Sequence, residues 1–133
     1  MIIEQITVRS FGLLRNYTES FSGGVNIIEG ANETGKSTLA AFIRYMLYGF
    51  GEETGVLSER ERRINWITGT ADGSMTISAG DRHWRIDRKT ERIGNGSTAT
   101  YADECTVFDL TANSPIRLHT SPGETLLGVG KDL

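Results

Sequence analysis

The chain has 133 residues, of which 38% are hydrophobic and 23% charged, with a formal net charge of -3 and a single cysteine. That length suits one domain with its own core and leaves little room for a second. The lone Cys105 excludes a disulfide-stapled secreted scaffold and implies a reducing, cytoplasmic setting. No run of about 18 apolar residues occurs, so no spanning helix and no membrane partner are expected. The opening Met1-Ile2-Ile3-Glu4 has no basic leader ahead of a long apolar stretch, and so is not a signal peptide. An acidic balance also argues against the whole chain acting as an electrostatic magnet for nucleic acid.

In chain order, Ile2, Ile6 and Val8 predict a strand, Phe11-Gly12 a loop, and Tyr17 to Phe21 a second strand that ends at Ser22-Gly23-Gly24. Val25-Asn26-Ile27-Ile28 reads as a short buried strand stopping at Gly30. From Lys36 the period changes. Leu39, Phe42, Ile43, Met46, Leu47 and Phe50 recur at spacings of three and four, which predicts an amphipathic helix stopped by Gly49 and Gly51. Residues 52–73 are polar and aperiodic, a surface connection. Met75, Ile77 and Ala79, the turn Gly80-Asp81, then Trp84 and Ile86 predict a β-hairpin. A second hairpin is expected from Cys105, Val107, Phe108 and Leu110 to Ile116 and Leu118, turning at Asn113-Ser114-Pro115. Pro122-Gly123 reads as a turn, and the apolar Leu126-Leu127-Gly128-Val129 suggests an element that continues past Leu133.

The chemistry concentrates in Gly30-Ala31-Asn32-Glu33-Thr34-Gly35-Lys36-Ser37, followed by Thr38, which matches G-x-x-x-x-G-K-S/T. A loop that wraps a phosphate must turn its backbone N–H groups inward, and glycines at Gly30 and Gly35 allow that close approach. The helix that follows adds free N–H groups and a partial positive charge. In this pattern Lys36 meets the β- and γ-phosphates of ATP and the Ser37 hydroxyl ligates Mg²⁺, with Asn32, Glu33, Thr34 and Thr38 completing the phosphate-binding set. A glycine-rich turn that binds nothing is the alternative. The expected order of strand, loop and amphipathic helix speaks against it.

The stretch Val25 to Leu39 resembles the N-terminal half of SMC-like ATPase heads, a branch of the ABC-type P-loop ATPases that includes YhaN-type proteins and the SbcC and RecF relatives. Phe11-Gly12, the Gly24 to Gly30 lead-in, Asn32-Glu33 and the Pro122-Gly123-Glu124 segment carry the likeness. It is strong from Gly24 to Phe50 and looser elsewhere. The resemblance implies a head built from the two ends of a long polypeptide, dimerising around two ATP molecules. A C-terminal lobe would supply the Walker B and signature segments, and a second head would be the dimer partner. Residues 1–133 would then form one nucleotide-binding lobe of a longer protein, working in DNA repair or maintenance.

Within this chain no catalytic residue is assigned. Cys105-Thr106-Val107-Phe108-Asp109 imitates a Walker B strand, but Thr106 interrupts the apolar run and Leu110 stands where an acid is needed, so Asp109 is expected to end a strand or turn. His83 and His119 lack partners at metal-ligand spacing, and Cys105 is expected to pack as a small apolar group. The run Arg82, Arg85, Arg88, Lys89 and Arg92, interleaved with Asp81, Asp87 and Glu91, reads first as a solvated face and second as a DNA contact. Arg9 and Arg15 lie where some relatives touch nucleotide. The fold expected is an α/β P-loop lobe in which a mixed sheet and an antiparallel β-layer flank a single helix. Two other classes remain open: a self-contained kinase-type phosphotransferase, against which the late hairpins count, and a non-catalytic interaction module, which the intact Lys36 and Ser37 disfavour.

Overall fold

A computed structural model describes residues 2–21, 33–50, 63–64, 69–94, 100–118 and 121–127, with only the backbone at 33–37, 124 and 127. The elements are β1 (Ile2–Phe11), β2 (Leu14–Ser20), α1 (Glu33–Tyr48), β3 (Thr70–Ala79), β4 (Arg82–Ile93), β5 (Thr100–Asp109), β6 (Ser114–Ile116) and α2 (Pro122–Leu127). The six described strands join one antiparallel sheet in the order β2-β1-β3-β4-β5-β6. The expected separate β-layer is therefore absent from the described residues. Both hairpins continue the sheet that the N-terminal strands begin, because β3 pairs with β1. The predicted strand Val25–Ile28, on which a mixed sheet depends, lies outside the described residues.

Two irregularities in β1 set what faces the core. Its register against β3 shifts between Ile3 and Gln5 and again between Val8 and Ser10. Each bulge inserts a residue and inverts the alternation of faces. The inward set is consequently Ile3, Ile6, Val8 and Phe11, not an even-numbered series. Ile2, at the start of the strand, is 44% exposed, and the second bulge leaves Ser10 and Phe11 buried in succession.

Helix α1 covers the inward face. Leu39, Phe42, Tyr45, Met46 and Leu47 are buried, and they meet Ile6, Val8, Phe11, Met75, Ile77 and Ile86 in one core. Phe11 is its aromatic centre, edge-on to Phe42 at 5.4 Å and stacked on Phe50 at 6.2 Å between centroids. Gly73 makes the close seat possible, since a Cβ there would lie 2.5 Å from the Phe42 ring and 2.6 Å from the Thr7 carbonyl.

The expected helix starts at Lys36 and the observed one at Glu33, three residues earlier, while its end agrees with Gly49, which adopts φ +78° as the left-handed stop. α2 is a correction. Pro122-Gly123 is the first turn of a helix and not a loop turn, with Ser121 ahead of a proline at the first helical position. This second helix packs on α1 closely enough that a Cβ on Gly123 would sit 2.3 Å from the Tyr48 ring. The β3–β4 hairpin turns at Gly80-Asp81 as expected, with Ala79 paired to Arg82. The β5–β6 turn comes earlier than expected, at Leu110–Asn113, because Asp109 caps it and Asn113 takes φ 56°.

Candidate nucleotide-binding site

The second half of the motif, from Glu33 to Ser37, forms the opening of α1, and Thr38 follows half-buried. Gly30 and Asn32 lie outside the described residues. The first four N–H groups of an α-helix have no partner within it, so the backbone donors of Glu33, Thr34, Gly35 and Lys36 belong to the end of α1 where an anion is favoured. These residues fit ATP and Mg²⁺ chemically. The helix supplies a set of N–H donors in line with the motif, Lys36 supplies an ammonium for phosphate, and Ser37 supplies a hard hydroxyl oxygen of the kind Mg²⁺ takes.

The other end of α1 is held by a polar network that the sequence reading did not anticipate. The Tyr45 hydroxyl lies 3.1 Å from the Ala71 carbonyl and 2.8 Å from Thr90 Oγ1. Thr90 Oγ1 donates to Asp103 Oδ1 at 2.8 Å, and Arg88 Nη1 donates to Asp103 Oδ2 at 2.8 Å. Because the single Thr90 proton goes to Asp103, the Tyr45 proton is the one shared between Thr90 and Ala71. The Arg88 guanidinium also sits 5.7 Å over the Tyr45 ring. Desolvation, the largest cause, raises the Tyr45 pKa well above its ordinary value. Burial likewise raises the Cys105 thiol against the opposing pull of Arg88, and Cys105 packs partly buried against the core as expected.

The basic run does not form one surface. In β4 the buried positions Trp84, Ile86, Arg88 and Thr90 share a parity, so Arg88 faces inward and is only 6% exposed. Arg85 and Lys89 face outward with Asp87. There Arg85 pairs with Asp87 at 3.0 Å and lies over Phe108 at 5.6 Å. At the strand's start Arg82 binds Asp109 at 2.8 Å and covers Trp84. The solvated-face expectation holds for the outward residues, and Arg88 corrects it.

Arg9 is also committed elsewhere. It lies on the sheet face away from α1, 3.0 Å from Asp72 and 3.1 Å from Ser74 Oγ. Nucleotide contact by Arg9 is therefore not supported, and Arg15 is exposed on β2 opposite Ser10. An open pocket of about 130 Å³ on this outer face is lined by Arg9, Asp72, Asp87, Lys89 and Glu104, among others. His83 Nδ1 lies 2.9 Å from Glu4 Oε1, and His119 falls outside the described residues. Asp109 behaves as a turn residue: its carboxylate accepts N–H groups from Thr111 and Ala112, each at 2.9 Å. The Ala112 N–H first, then Arg82, holds its pKa below the usual carboxylate range.

The second half of a motif of phosphate-loop spacing thus opens a helix seated on a sheet. Residues 5–108 match the family model described as "AAA domain", which is more than half of the chain. The chain belongs to this family of P-loop ATPases, whose members bind ATP with Mg²⁺. No described helix is long and apolar enough to cross a membrane.

Proposed function

We propose that this chain is the nucleotide-binding N-terminal lobe of an SMC-like ATPase head, in which residues Gly30 to Thr38 hold the phosphates of Mg-ATP. The observation that carries the reading is the coincidence of the motif's second half, Glu33 to Ser37, with the opening turns of α1 in a chain of the AAA domain family. Lys36 places its ammonium against the β- and γ-phosphates, the backbone N–H groups of Glu33 to Lys36 orient them, and Ser37 offers its hydroxyl to the metal. When bound at the Ser37 hydroxyl, Mg²⁺ would neutralise charge on the phosphates. Hydrolysis also needs a group that orients the attacking water. The proposal assigns that group to a C-terminal lobe, and turnover to two heads closed around nucleotide.

The reading places the work in DNA maintenance on the strength of the family resemblance. The described outer face balances Arg9, Arg85 and Lys89 against Asp72, Asp87, Glu91 and Glu104, which gives no basic stripe for a phosphate backbone. DNA contact is therefore assigned to the completed head. The test is calorimetry of Mg-ATP binding to the chain and to Lys36→Ala, with phosphate release measured on the same samples. Binding lost in the variant, without turnover by either, is the expected result. Sustained turnover by the chain alone would overturn the lobe reading in favour of a self-sufficient P-loop enzyme.

A further inference from the structure

Arg88 is the most unusual charged residue in the described structure. It is 6% exposed, its Nε is buried with no hydrogen-bond partner, and a polar atom left unpaired in a core is costly. Its surroundings give a physical reason for keeping it. The last turn of α1 contains no basic residue, although the C-terminal end of a helix carries a partial negative charge that favours a cation. Arg88, reaching in from β4, supplies it. A Cβ on Gly49 would stand 2.6 Å from Arg88 Nη1, so the absence of a side chain at the helix stop opens the place the guanidinium occupies. One face of that group lies over Tyr45 and one edge binds Asp103, while Tyr45 is tied through Thr90 to the same Asp103.

We infer that Arg88 is a positioning residue for nucleotide binding: it pins the C-terminal end of α1 to β4 and β5 and so fixes the attitude of the helix whose first turn presents the phosphate donors. The inference rests on the proposed function and deepens it. Lys36 and Gly49 are 13 residues apart in the sequence, about 20 Å along a helix axis, so Arg88 touches no ligand and acts only through α1. A rigid helix transmits a small rotation at one end into a displacement at the other, and phosphate cradles tolerate little displacement. Asp103 is the second anchor. With its side chain 48% exposed, it stands where the β4–β5 arm meets solvent.

The test uses Arg88→Met, which keeps the stem and removes the cation, Arg88→Lys, which restores the charge without the planar fork, and Thr90→Val, which cuts the Tyr45 relay at nearly constant volume. Ile77→Val serves as a control that weakens the same core away from the end of α1. Two readouts are taken: Mg-ATP affinity, and amide hydrogen exchange of Glu33 to Thr38 without nucleotide. Arg88→Met is expected to weaken affinity about three- to thirtyfold, the range of couplings carried through packed elements, and to speed exchange in the first turn. Arg88→Lys should recover part of both, Thr90→Val should show a smaller loss, and Ile77→Val should show neither. If Arg88→Met unfolds, the Lys and Val variants carry the test. Unchanged affinity and unchanged first-turn exchange in variants with lowered urea midpoints would make Arg88 a purely structural residue and overturn the inference. Failure of the wild-type chain to bind Mg-ATP would instead overturn the proposed function, and with it the nucleotide role of Arg88, whatever the exchange data show.

Discussion

The two faces of the sheet use the same ion pair in opposite ways. On the outer face Arg9 meets Asp72, Ser74 and, at 3.9 Å, Asp87, with its own side chain 45% exposed. Water screens these charges, and each pair contributes little. On the inner face Arg88 meets Asp103 beneath α1, nearly dry, stacked on Tyr45 and lacking a partner for its Nε. There the desolvation cost is large, and removing one partner leaves the other uncompensated. An arginine in a run of charges is therefore not interchangeable with its neighbours. The parity of its strand decides whether it decorates a surface or braces a helix.

The contrast breaks first where the inner face is apolar. Phe42→Ala removes a fully buried ring that fills the space left by Gly73 and is expected to cost about 3–5 kcal/mol in a urea titration. Loss of only a fraction of that would mean α1 is not held on the sheet through Phe42. Next, Asp103→Ala strips Arg88 of its counter-charge. Half-exposure of the aspartate discounts the full penalty of a broken buried pair to about 2 kcal/mol, to be read as a shift in urea midpoint.

The pH dependence sharpens the same comparison from both sides. Asp109 has its folded pKa lowered by the Ala112 N–H and Arg82, so its contribution is present above the unfolded value and is lost as pH falls through the folded one. Stability should decline as pH falls through and below the ordinary carboxylate range, and Asp109→Asn should flatten that limb. Tyr45 has its pKa raised, chiefly by burial. Its contribution is whole below the ordinary tyrosine value and fades as pH rises past about 10, a slope that Tyr45→Phe should reduce, leaving the part due to Cys105 and Tyr17, whose values are also raised. The smallest effect is expected outside: Arg9→Gln should move stability by no more than about 0.5 kcal/mol, and less in high salt.

Much of this was legible in the sequence where one physical signal dominates. The β3–β4 hairpin follows from strict alternation around Gly80-Asp81, and the apolar stripe from Leu39 to Leu47 specifies a helix whatever surrounds it. Asp109 reads as a strand-end or turn residue because Thr106 interrupts the apolar run and Leu110 leaves no acid beside it. The failures have causes too. Bulges in β1 invert the faces midway, so the spacing of Ile2, Ile6 and Val8 predicts the strand but not which of its residues face the core. Pro122-Gly123 carries turn residues that also open a helix once Tyr48 is there to pack on. Arg88 shares its parity with Trp84 and Ile86, a sign of burial available in the sequence but masked by four other cations in the run.

The claim on which the account depends is that the motif from Gly30 to Ser37 holds the β- and γ-phosphates of ATP. Competition between Mg-ATP, Mg-ADP and AMP for the chain, followed by fluorescence of a labelled ATP, addresses it directly. The account predicts that ATP and ADP displace the label at least about tenfold more tightly than AMP, because each lost charge-assisted contact is worth roughly 1.5–3 kcal/mol, and that Lys36→Ala no longer retains the label. Equal displacement by AMP, or retention of the label by Lys36→Ala with the wild-type affinity, would contradict it.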